Sequence, residues 1–236
     1  MQNKPLILVL LAGLALSGAA QATLNDRGGG LIYDDVLNIT WLQDANYAKT
    51  SGYDADGMMN WAAANAWAAN LSYGGYSGWR LPTMVDTSAQ GCDWANSGTD
   101  CGYNVQTVSG GTVFSEMAHM YFNNLRLKSY FSPTDVVQSD FGIFGNGTIG
   151  GQNDVGLIKN LRSYVYWSEV GYAPNSSDAW LFSMSGGSQG ATSKDGDFYA
   201  WAVRPGDVAA VPEADTWAML LAGLGLVGVA ARRRRG

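Results

Sequence analysis

The sequence holds a single histidine, His119, and only two cysteines, Cys92 and Cys101. One imidazole allows at most one catalytic triad and excludes a zinc centre made of several histidines. Basic residues are scarce as well. Between residues 23 and 210 nine Lys or Arg face eighteen Asp or Glu, a net charge of −9. A body this acidic repels phosphate, so nucleic acid is excluded as a partner. No repeat of solenoid type recurs along the chain.

Long apolar runs are confined to the two ends. Lys4 precedes LILVLLAGLAL and a stretch of small residues ending Ala20-Gln21-Ala22. This is the layout of a signal peptide over residues 1–22, cut between Ala22 and Thr23. The alternative, an N-terminal membrane helix, has to work with a short run. At the other end sixteen uncharged residues, 216–231, stand between Asp215 and Arg232, Arg233, Arg234 and Arg235. At 1.5 Å per residue they span about 24 Å against a hydrocarbon core of about 30 Å. Trp217 and the arginines extend the reach into both interfaces, and the arginines stay on the cytoplasmic side. We expect a transmembrane helix over 216–231 that anchors the precursor transiently in the inner membrane. The folded part is then residues 23–210. In an oxidising compartment Cys92 and Cys101 are expected to form a disulfide around CDWANSGTDC, worth roughly 2–3 kcal/mol by loop closure. A metal held by these two cysteines is the alternative, and it lacks further ligands.

Glycine and aromatic residues dominate the folded part, and the pattern reads as α+β. Ile32-Tyr33 and Val36-Leu37 suggest a hairpin turning at Asp34-Asp35. Asp56 is placed to cap a helix over MMNWAAANAWAANL, with Met58, Trp61, Ala64, Ala68 and Leu71 on one face, Trp67 packed on the following loop, and Gly74-Gly75 as the stop. A second helix is expected over TVFSEMAHMYFNNL, with Phe114, Met117, Ala118, Tyr121, Phe122 and Leu125 as its apolar stripe. His119 falls about 140° from Phe114 on such a helix, on the solvated side. Residues 126–162 read as irregular, with one short strand near Phe141–Phe144. YVYWSEV, DAWLFSMS and FYAWAVRP read as strands.

Catalytic chemistry is thinly represented. The carboxylates stand mostly beside Gly, Ser or Asn, where turn and cap roles are usual. A pair of them running glycoside hydrolysis is the enzymatic alternative. Asp54-Ala55-Asp56-Gly57 lacks the remaining ligands of an EF-hand, so no cofactor is assigned; a loop-bound calcium ion stays open. Nine tryptophans and twelve tyrosines are many for this length. Rings with a polar tip suit sugar faces and protein interfaces as well as cores.

Three stretches in order, GGYSGWRLPT, YVYWSEVGYAPNSSDAWLFSM and FYAWAVRPGD, carry a resemblance to the Lcl C-terminal domain family over residues 26–207. The motif residues are Trp79, Arg80, Leu81 and Pro82, then Tyr166, Trp167 and Ser168, then Arg204. The resemblance implies a C-type-lectin-like or formylglycine-generating-enzyme-like fold: two helices packed on short twisted antiparallel strands, with long loops. Arg80 and Arg204 are expected to pair with carboxylates or loop carbonyls and staple the fold; ligand contact is the alternative. The tail resembles a PEP-CTERM sorting signal through Val211, Pro212, Glu213 and the four arginines, departing at Ala214, where a second proline is usual. That resemblance implies exosortase and the secretion machinery as partners in a Gram-negative bacterium, and export linked to extracellular polysaccharide.

The expected function is a non-catalytic module of the cell envelope, outer surface or extracellular matrix. Its loops at 83–110, 132–160 and 185–197 would bind a glycan or an envelope protein, with Trp167, Glu169, Asp178 and Trp180 as ligand candidates. A carboxylate-pair hydrolase, a divergent oxidase, or a purely structural matrix protein are the alternatives.

Overall fold

The computed structural model describes residues 24–89, 92, 96 and 100–208. The expected signal peptide, its cleavage site and the whole sorting signal, including the helix over 216–231, lie outside the described residues.

Two antiparallel-dominated sheets carry the architecture, which is α+β. The first begins with β1 (Leu24–Asp26), β2 (Leu31–Asp34) and β3 (Ile39–Leu42) and is closed by the last strand, β14 (Val203–Pro205), in the order β1-β2-β3-β14. The hairpin is real, but its register sits two residues away from the expectation. β2 runs through Asp34 and pairs Leu31 with Leu42 and Asp34 with Ile39. The turn is therefore 35–38, with Asn38 at φ 52°. Asp34 does not sit at the tip. It is fully buried, and its Oδ1 accepts from the backbone N–H groups of Val36 and Leu37, so it caps the turn from inside.

The second sheet has six strands. In spatial order they are β4 (Met58–Met59), β13 (Phe198–Tyr199), β10 (Val165–Gly171), β11 (Asp178–Ser183), β12 (Ser188–Ser193) and β5 (Gly102–Tyr103). Residues 188–193 are thus a strand, where a display loop was expected over 185–197. Two further hairpins join β6 (Val108–Ser109) to β7 (Thr112–Val113) and β8 (Gln152–Val155) to β9 (Ile158–Arg162). The second of these falls in the stretch expected to be irregular. No strand forms at Phe141–Phe144, because Gly142 and Gly145 take φ of 71° and 66° and turn the chain there.

A short helix, α1 (Tyr47–Thr50), precedes the alanine-rich helix α2 (Trp61–Asn70). The α2 cap is Asn60, whose Oδ1 accepts from Ala63 N at 2.9 Å. Asp56 instead closes its own turn on Met58 N, because Met58-Met59 is drawn into a strand against Phe198-Tyr199. α2 buries Ala64, Trp67 and Ala68. Trp67 is thereby part of the main core. The next helix, α3 (Glu116–Ala118), is capped by Ser115 and passes at once into a π-helical turn, His119–Asn124. The expectation for His119 is overturned. Phe114 precedes the Ser115 cap and does not set the helix face, and residues 115–121 are all buried, His119 beside Met120 and Tyr121.

The core lies between the sheets and the helices and is built of large rings: Trp41, Trp167, Trp201, Tyr121, Tyr166 and Phe182 are all fully buried. The polar tips of Trp201, Trp167 and Tyr121 donate to backbone oxygens. Trp201 donates to Leu42 O at 2.7 Å and Trp167 to Met59 O at 2.8 Å.

Candidate functional site

The W-R-L-P and A-V-R-P segments meet. Arg80 N donates to Val203 O and Val203 N to Arg80 O, both at 2.8 Å. Trp79 and Leu81 point into the core on either side of the arginine. The Arg80 guanidinium forks onto Glu116, with Nη1 to Oε2 and Nη2 to Oε1 both 2.7 Å. Glu116 is buried, and its Oε2 also accepts from Thr83 N. Burial alone would lower the pKa of Arg80, but the hydrogen bonds and charge of Glu116 raise it, so the guanidinium is held charged. Arg204 is placed differently. Its guanidinium lies 4.9 Å over the Tyr76 ring, with Nε 3.5 Å from Ser77 O.

The four nominated ligand residues do not converge on a surface. Trp167 is fully buried and Trp180 nearly so, which removes both as surface contacts. The Trp180 indole N–H donates to Asp86 Oδ2 at 2.9 Å, in a satellite core with Met84 and Cys101 under the disulfide loop. Trp167 pairs with Leu181, so Trp180 points to the opposite face of the sheet; the main core covers one face and the satellite core the other. Asp178 is half-buried and accepts from Asn175 Nδ2 at 3.0 Å. Glu169 is half-buried, and its N–H is tied to Pro82 O.

A different set of side chains forms a contiguous face. β5 is the edge strand of the large sheet, and Tyr103 projects from it directly after the disulfide, where Cys92 and Cys101 are joined with Cα atoms 5.5 Å apart. Tyr103 packs edge-on against Phe131 at 5.1 Å, Phe131 against Tyr130 at 4.6 Å, and Tyr130 against Phe141 at 5.0 Å. All four rings are only half-buried. The turn beside them, 132–136, is closed by Ser132 N to Val136 O and exposes Val136 and Val137 by 59% and 55%.

Polar groups frame these rings and hold them. Asn104, at φ 50°, donates to the carbonyls of Asn96 and Phe131 at 2.8 Å each, and its Oδ1 accepts from Ser129. Asn96 Nδ2 reaches Asp135 Oδ1 at 2.5 Å, and Gln138 Nε2 reaches Ser129 O at 2.7 Å. Burial, with Tyr130 close by, raises the pKa of Tyr103, so its hydroxyl stays neutral and able to donate as well as accept. Tyr103 and Phe141 fall within the expected loops 83–110 and 132–160, while Tyr130 and Phe131 lie outside them and none of the four was a named ligand candidate. The signal for them was an aromatic pair, Tyr130-Phe131, inside a stretch read as irregular.

Several loop carboxylates are occupied as structural acceptors. Asp86 takes Ser88 N, Ala173 N and the Trp180 indole. Asp100 takes the N–H and hydroxyl of Thr87. At Asp54 burial raises the pKa, but the backbone N–H groups of Asp56 and Gly57 outweigh it, and the net direction is down. Lys128 lowers Asp140; Asn160 N–H, then Lys159, lower Asp154. Among the described residues no three His, Cys, Asp or Glu side chains come together as a metal-binding group.

The family model of the Lcl C-terminal domain matches residues 30–204, and that of the PEP-CTERM protein-sorting motif matches residues 210–235. No curated protein and no solved structure matches the chain. The sorting motif makes this an exported protein that passes transiently through a membrane-anchored stage and is processed by an exosortase.

Proposed function

The chain belongs to the Lcl C-terminal domain family, and from the ring-lined loop face on that domain we propose that it is a non-catalytic glycan-binding module of the cell surface or extracellular matrix. We take its scaffold as C-type-lectin-like or formylglycine-generating-enzyme-like, with the signal peptide removed between Ala22 and Thr23. The observation that carries the reading is the run Tyr103, Phe131, Tyr130 and Phe141, half-exposed and framed by amides. Apolar ring faces stack on the C–H faces of pyranose rings, while fixed amides and a neutral phenol meet sugar hydroxyls. Asn104, bonded to Asn96 O, Phe131 O and Ser129, fixes the loops that carry these rings, so little ordering entropy is spent on binding. The non-catalytic part of the reading rests on the engaged loop carboxylates: those with shifted pKa values are shifted downward, opposite to what a general acid needs.

The test is titration of the exported domain with extracellular polysaccharide from the same cells. Tyr103→Ala and Phe131→Ala are each expected to weaken saturable binding about fivefold or more, the equivalent of roughly 1 kcal/mol. Arg204→Ala, which sits over Tyr76, should leave it unchanged. Absence of saturable binding by the unaltered domain, or equal binding by all variants, overturns the proposal.

A further inference from the structure

The ring face is built from two stretches of chain that hold no base. Residues 83–110 and 129–158 contain neither Lys nor Arg, and they carry Asp86, Asp93, Asp100, Asp135, Asp140 and Asp154. Tyr103, Tyr130, Phe131 and Phe141 all come from these stretches. Two of the carboxylates stand beside the rings. Asp140 directly precedes Phe141, and its side chain is 60% exposed. Asp135 is exposed in the turn 132–136, next to the bridge that pairs Phe131 with Val137.

Hydrogen bonding leaves most of this charge in place. Asp135 accepts from Asn96, Asp86 from Ser88 N, Ala173 N and the Trp180 indole, and Asp100 from Thr87. These donors are neutral, so they hold each carboxylate without cancelling its charge. Lys128 is the base nearest the rings along the chain. Its ammonium is taken by Asp140, Nζ to Oδ2 2.5 Å, and this contact holds Asp140 ionised. Most other bases are set against an acid or a ring elsewhere. Lys49 and Arg126, which have no such partner among the described residues, lie outside both stretches. A polyanion brought onto this face meets fixed negative charge and no base in the segments that form it.

We infer that the ring face takes a glycan without acidic groups, and that Asp135 and Asp140 exclude chains bearing uronic acid, sulfate or phosphate. The inference rests on the glycan-binding reading above and narrows its substrate class. Stacking on a ring face is indifferent to charges elsewhere on the sugar, so the carboxylates beside the rings set the choice by repulsion.

The experiment uses the full exported protein and extracellular polysaccharide from the same cells, split by anion exchange into an uncharged and an acidic fraction. A chelator is present, so that no divalent cation bridges acid to acid. Both fractions are titrated at about 0.15 M salt, where the screening length is about 8 Å, and at about 1 M, where it is about 3 Å. At the lower salt the uncharged fraction should bind at least about fivefold more tightly, and the gap should narrow at the higher. Asp140→Asn removes a charge beside the rings and releases Lys128. It should raise the ratio of acidic to uncharged affinity about threefold or more, and an exposed pair of this kind adds too little stability for the fold to be lost. Asp195→Asn is the control. Ser188 pairs with Tyr103, and Ser193 at the other end of β12 is about 17 Å away, so a charge removed beyond it should leave the ratio unchanged. Equal or tighter binding of the acidic fraction, or the same ratio in Asp140→Asn as in Asp195→Asn, overturns this inference and leaves the glycan reading standing. Absence of saturable binding by either fraction overturns both.

Discussion

At the scale of single residues, Arg80 and His119 show opposite degrees of legibility. Arg80 stood out because basic residues are few, and an arginine beside inward-facing Trp79 and Leu81 needs an anion; the structure supplies Glu116. Which carboxylate it meets was not legible, since 36 residues separate the pair. Glu116→Ala leaves the guanidinium and Thr83 N–H without their acceptor. We predict a loss of about 3 kcal/mol in urea denaturation, little improved by pairing it with Arg80→Lys, because an ammonium cannot replace the planar fork. His119 was misplaced because its angle was counted from Phe114, which lies outside the helix that Ser115 caps, and because the helix is buried on every side over 115–121. Its pKa is lowered by burial, with Asp34 and Asp35 opposing, so the unfolded chain takes up the proton more readily. Stability is therefore present above about pH 6.5 and is lost as pH falls through the lowered value. Melting curves between pH 4 and 8 should show a steep acid loss, and His119→Gln should make it shallower.

Elements were legible where their signal is local. The alanine run of α2 and the aromatic strands β10 and β11 follow from propensity and alternation. What the sequence could not reveal was competition from distant partners. Met58-Met59 would extend α2, but Phe198-Tyr199 pairs with it and moves the helix start to Asn60. Asn60→Ala should accordingly cost about 1 kcal/mol in chemical denaturation. Asp56→Ala, whose side chain accepts only within an exposed turn, should leave α2 intact by circular dichroism. The ring-lined face was illegible for a related reason. Tyr103 and Phe131 lie far apart in the chain, and only the docking of β5 on β12 and the disulfide beside it bring that loop to the 130–141 segment. Reduction of Cys92–Cys101 should lower stability by roughly 2–3 kcal/mol, and weaken polysaccharide binding alongside Tyr103→Ala.

Across the whole molecule, the four-stranded sheet gathers both ends of the folded chain. Leu24 pairs with Asp34, Asp34 with Ile39, and Ile39 with Pro205, so one row of residues spans the sheet from its first strand to its last. Three strand spacings make that row about 14 Å wide. Leu24 and Pro205 therefore stand at the same end of the sheet. Arg27 lies 5.0 Å over the Tyr33 ring and forks onto Asp207 at 2.8 and 2.6 Å, tying the first strand to the exit. Val208 is itself buried, and the sorting motif begins at residue 210. Even fully extended, the four residues from Val208 to Pro212 reach only about 14 Å. Cutting at Val211-Pro212-Glu213 would then bring exosortase against the face of a folded, acidic domain. Insertion of a ten-residue Gly/Ser spacer after Val208 should raise the rate at which the arginine-tailed form disappears, read by mass spectrometry of membrane and surface fractions. An unchanged rate would mean that the tail is already drawn clear of the domain, and an arginine tail retained on surface protein would make the segment a permanent anchor.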